Sequence, residues 1–174
     1  MPTYPLPEDG TVTRRSTIVN VALVTQVERL TDHIVSETEQ KLELMHEAYW
    51  EGREVEVHNW IRSLKDNTSA WLSLSNAIKA TVLILEARIE LVSNADILKA
   101  KQLADEAKEI APSIDQVILR SLITYREEGP EKAIKLLEGR KDVDSLNFKA
   151  SLLMDLGRLE DSLKTLSSIE TEEE

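Results

Sequence analysis

Asp155-Leu156-Gly157-Arg158-Leu159-Glu160-Asp161-Ser162 decides the fold of this chain. Gly157 sits between two stretches that repeat apolar residues at helical spacing. They predict helices from near Val143 to Asp155 and from Leu159 to Ser168. Glycine closes a helix readily, because it takes up left-handed backbone without a Cβ clash. Two short helices joined by so tight a turn form a hairpin, and one hairpin cannot bury its own apolar face. Neighbouring pairs must therefore stack on it.

Working back from that turn, the same pattern recurs. Gly139 closes a short helix that begins at Pro130, a residue suited to the first helical position. Ser113-Ile114-Asp115-Gln116 has the form of a capping box for the helix before Gly129. Pro112 ends the helix before it, which starts at Asn94 or Asp96. Ser69 is expected to cap one long helix reaching about Val92, and a further helix runs from near Arg53 to Leu64. Val24, Val27, Leu30 and Ile34 mark an apolar stripe on a first helix from Ser16. That helix either restarts at the capping box Ser36-Glu37-Thr38-Glu39 or continues to Gly52. Residues 1–15, with Pro2, Pro5 and Pro7, read as a flexible tail, and residues 170–174 as an acidic one. No stretch alternates like a strand. The fold class expected is all-α, with three to four helix pairs over residues 16–169.

Composition narrows the function. The net charge is −11, from 32 acidic and 21 basic residues, and no Lys/Arg run supplies a basic face, so nucleic-acid binding is disfavoured. With no cysteine there is no disulfide, zinc–thiolate site or thiol chemistry, which fits a reducing, cytoplasmic setting. No stretch approaches the roughly 20 apolar residues of a membrane span. Arg14-Arg15 ahead of Ile18 to Val24 has the outline of a twin-arginine export signal. Asn20 interrupts the apolar run, however, and the amphipathic pattern continues, so a helix entered from a basic turn is the reading taken.

Small residues recur where paired helices must approach. Trp71-Leu72-Ser73-Leu74-Ser75-Asn76-Ala77-Ile78 resembles the opening of a tetratricopeptide repeat. Ala100, Ala104, Ala107 and Pro112 resemble its second helix and terminal proline. Ser121 and Ala133, then Ala150, Gly157 and Ser162, are similar to the small positions of two further repeats. The resemblance covers about Leu42 to Ile169, with an insertion between Leu83 and Leu98. It implies an α-solenoid that holds a protein or peptide segment against the first helix of each pair.

Position by position, it places His46, Tyr49 and Trp50 on that surface from the first pair, and Asn76 and Lys79 from the second. Tyr125 and Arg126 come from the third, and Asn147 and Ser151 from the last. Tyr49 and Trp50 read equally well as core, whereas Tyr125 and Arg126 are expected to be exposed. The family's clamp for a C-terminal carboxylate falls here on Leu42, His46, Ser73, Asp115 and Leu119, which lack its cations.

Glu43 and His46 have the spacing of two ligands on one helix face. Val55 stands where a second glutamate before His58 is needed, so no metal site is expected. No Ser-His-Asp set or glycine-rich phosphate loop is present, and neither catalysis nor a cofactor is expected. The function implied is an adaptor, scaffold or assembly factor. The alternatives are a secretion-type or assembly chaperone, and a structural subunit that oligomerises through its N-terminal helix.

Overall fold

The computed structural model describes residues 11–170, with side chains described over 28–169 except at 31 and 35, and every regular element among them is helical. The elements are α1 (Thr11–Trp50), α2 (Glu54–Asp66), α3 (Thr68–Ser73), α4 (Asn76–Val92), α5 (Ile97–Ile110), α6 (Val117–Glu128), α7 (Pro130–Leu136), α8 (Val143–Asp155) and α9 (Leu159–Glu170). Helix α1 begins at Thr11, earlier than the tail read through Arg15, and passes Ser36 without a restart. The remainder of that tail, and residues 171–174 of the acidic one, lie outside the described residues. No helix among the described residues is long and apolar enough to cross a membrane.

The chain divides into two compact units, residues 1–41 and 42–174. In the first, Thr38 Oγ1 donates to Ile34 O at 2.8 Å, and His33 meets Glu37 at 3.2 Å one turn on. Leu30, on the apolar stripe, is 57% exposed.

The second unit is built of helix pairs. Helices α4 and α5, α6 and α7, and α8 and α9 pack as successive hairpins. Helix α4 also touches α6, and α6 touches α8. Alanines let the first pair close up: Ala80 and Ala87 of α4 face Ala100, Ala104 and Ala107 of α5 in one buried cluster with Leu83, Leu91 and Leu103. A second cluster joins Ala133, Ile134 and Leu137 to Leu152 and Leu153, linking α7 to α8.

Gly157 behaves as its position predicts. It has φ +72°, its amide bonds Met154 O at 2.9 Å, and the Arg158 amide bonds Leu153 O at 2.9 Å. Those two bonds satisfy carbonyls that the end of α8 leaves open. Gly52, with φ +75°, closes α1 by the same pair of bonds, to Tyr49 O and Ala48 O.

Two expected boundaries are corrected. The long helix from Ser69 to Val92 is broken, because Leu74 and Ser75 are extended and Ser75 Oγ accepts the Ile78 amide at 3.2 Å. A serine that satisfies an open amide gains more as a cap than within a helix. Asn67, rather than Ser69, caps α3, through the Ala70 amide at 3.1 Å. The stretch Trp71 to Ile78 therefore does not lie on one helix. Trp71 packs instead against the α4–α5 cluster, with Lys65 Nζ 5.9 Å from its ring. The box at Ser113 also fails to form: Asp115 Oδ1 takes the Val117 amide at 2.9 Å, and Gln116 is buried.

Candidate functional site

Val82-Leu83-Ile84-Leu85-Glu86-Ala87-Arg88-Ile89-Glu90-Leu91 of α4 is apolar on every side, and its aliphatic residues are buried. Such a helix belongs inside a protein, so charges within it need partners. Glu86 has one in Lys65, at 2.7 Å. Glu90 has two, Lys99 at 2.9 Å and Asn94 at 2.6 Å. Burial alone raises the Glu90 carboxyl, but the bonds from Lys99 and Asn94 outweigh it and hold the group below its ordinary value.

Arg88 is different. Its Nε is buried without a hydrogen-bond partner, and it makes no ion pair among the described residues. Burial pushes the guanidinium below its usual range, and Tyr49 and Asp144 offset this only in part. The same charge reaches back to α1. His46 is lowered, first by its own burial and then by Arg88. Burial raises the Tyr49 phenol despite Arg88.

Arg88 lies on the wall of a cavity of about 400 Å³, lined also by Trp50, Ile118, Asp144, Asn147, Phe148 and Ser151. Helices α1, α4, α6 and α8 all contribute to this well. Asn147 and Ser151 stand one turn apart on α8 and expose an amide and a hydroxyl. Trp50 is 75% exposed at the rim, which rules out the core reading for it, whereas Tyr49 is half-buried. A second cavity of about 310 Å³ shares Arg88, Ile118 and Asp144 and extends to Asp115, Arg140 and Asp142. There the arginine is satisfied: Arg140 pairs with Asp115, and with Asp142 at 2.8 Å, while Asp142 caps α8 through the Ser145 amide at 3.0 Å.

Trp50, Asn147 and Ser151 thus come together, with His46 and Tyr49 within the field of the same arginine. Asn76 and Lys79 line neither cavity. They sit on the first turn of α4, about 18 Å and about 14 Å along the axis from Arg88, and Lys79 Nζ bonds Leu72 O at 3.4 Å. Tyr125 is less exposed than expected. It is half-buried against the α7–α8 cluster, and its hydroxyl donates to Asp155 at 3.1 Å, while Arg126 is exposed. Among the clamp positions, Leu42 and Leu119 are buried and Asp115 is committed to Arg140. No three His, Asp or Glu side chains gather as metal ligands among the described residues.

Arg88 lines the candidate site, and reading by repeat position passed over it. Its signal was local: a charged residue inside a helix with no polar face. Comparison of the chain with protein-family models, with curated proteins and with solved structures finds no match in any of the three.

Proposed function

We propose that this chain is a tetratricopeptide-like adaptor that holds a segment of a partner protein in the well between α1, α4, α6 and α8. The observation that carries the reading is the joining of Trp50, Asn147 and Ser151 with Arg88 around one open cavity. An exposed tryptophan beside apolar Ile118 and Phe148 is an anchor surface, and an amide and hydroxyl along α8 suit a peptide backbone. Stacked pairs whose first helices adjoin, α4 to α6 to α8, support a solenoid of this kind. The chain acts by binding, not by catalysis, and its setting is cytoplasmic. An assembly or secretion-type chaperone, cradling a client segment in the same well, is the nearest alternative.

The test is a photo-crosslinking amino acid placed singly at Ser151 in the well and at exposed Glu106 of α5. Capture of one discrete protein from Ser151 alone supports the reading. Capture from Glu106 alone moves the interface to the other side of the pairs and overturns it.

A second reading has its own observation. The apolar stripe read along α1 includes Leu30, which is 57% exposed, and this supports self-association through that helix. Sedimentation of the full chain against one starting at Ser36 decides it: an unchanged monomer ends the oligomer reading.

A further inference from the structure

We infer that the well takes a single acidic side chain, an aspartate or glutamate carried within the partner segment, whose carboxylate pairs with Arg88 while a neighbouring apolar side chain lies against Trp50 and Phe148. The inference rests on the adaptor reading and adds the chemistry of what is held.

Three features of the well lead to it. The first is the buried Nε of Arg88, which has lost water and gained no partner in return. Native proteins pair nearly all such groups, and a guanidinium is matched best by a carboxylate, which takes two of its N–H groups at once. The second is the count of charges around it. Asp144 lines both cavities beside Arg88, and Asp115 and Asp142 stand next door but are occupied by Arg140. Asp144 offsets the burial of Arg88 only in part and makes no ion pair with it among the described residues, so one further carboxylate still meets an unpaired guanidinium, whereas a dianion such as phosphate adds a charge in excess against Asp144. The third is the chain's net charge of −11, which repels a generally acidic segment and leaves room for one acid in an otherwise neutral or basic stretch. Asn147 and Ser151, a turn apart, follow a backbone that continues along α8. That favours an acid in mid-segment over a chain terminus.

Random short peptides displayed through their carboxyl ends, so that no terminal carboxylate is free, provide the probe. Selection on the full chain is expected to enrich one Asp or Glu beside an apolar residue. Changing that acid to its amide is expected to weaken binding about tenfold to a hundredfold, as a desolvated charged hydrogen bond is worth. Arg88→Met is expected to bind acid and amide peptides alike, and Arg88→Lys to restore part of the difference. Circular dichroism on both variants confirms that they fold. Selected peptides that lose binding with Ser151→Trp, which fills the well, yet show no acid preference overturn this inference and leave the adaptor reading standing. The same holds if the acid preference survives Arg88→Met. Peptides indifferent to both Ser151→Trp and Trp50→Ala, or no enrichment at all, remove both readings.

Discussion

The hydroxyl of Ser121 donates to the carbonyl of Ala133 at 2.8 Å, tying α6 to α7 at a point where neither residue has any solvent exposure. The carbonyl is open because the Leu137 amide bonds Ile134 O at 2.9 Å and not Ala133 O. Ser162 does the equivalent in the next pair, donating to Ala150 O at 2.9 Å from α9 to α8. In each pair a serine is small enough for close helix approach and supplies the donor that a buried carbonyl can use.

Replacing that hydroxyl separates the two roles. Ser121→Ala keeps the small size and leaves Ala133 O with one bond fewer, at an expected cost of about 1 kcal/mol in urea unfolding. Ser121→Val loses the bond and also overfills the contact, for a further 1–3 kcal/mol or so. A Val variant as stable as the Ala variant means that the α6–α7 approach is not tight.

Gly157 offers a cleaner test, since a Cβ placed there meets nothing within 4 Å and only the backbone at φ +72° resists it. Gly157→Ala is expected to cost about 1–2 kcal/mol, the strain of left-handed backbone for a residue with a side chain. Gly157→Asn is expected to cost less, because asparagine tolerates that region. Equal losses for the two, by thermal unfolding, place the cost elsewhere than in φ.

Glu90 carries the pH dependence. Its carboxyl lies below its ordinary value in the folded chain, so its contribution is present in full above the unfolded pKa, about 4.3, and is lost as pH falls through the lower folded value. Glu90→Gln is expected to cost about 1–3 kcal/mol at pH 7, the worth of hydrogen bonds to a charged group. The gap between wild type and variant should shrink as urea titrations move from pH 5 to pH 3. A gap that stays constant across that range means the ionised form gains nothing from Lys99 and Asn94.

How much of this was legible in the sequence depends on the kind of signal. Helix ends set by one residue's backbone preference, such as Gly52, Pro130 and Gly157, read directly. The break at Ser75 did not, because a serine inside a helical pattern looks the same as one that caps, and only its bond to Ile78 separates them. Trp50, Asn147 and Ser151, named from repeat position, line one cavity. The bond from Tyr125 to Asp155 was not legible, because the two are 30 positions apart. Arg88 was passed over for a different reason: repeat position ranks exposed polar residues, and this one is set among buried aliphatics.

That placement makes a prediction about stability as well as binding. Glu86 and Arg88 are neighbours on one buried helix, but Glu86 is held by Lys65 at 2.7 Å whereas the Arg88 Nε is held by nothing. Removing a matched charge leaves its partner stranded, so Glu86→Gln is expected to destabilise the fold by about 1–3 kcal/mol. Removing an unmatched one relieves a desolvation cost, so Arg88→Met, of similar length and apolar, is expected to raise stability by about 1 kcal/mol. Opposite signs from positions two residues apart mean that Arg88 is kept at a cost to the fold, as groups that serve binding often are. If urea unfolding shows Arg88→Met losing as much as Glu86→Gln, the folded chain already supplies the guanidinium with what it needs. The well then has no demand for a carboxylate from outside.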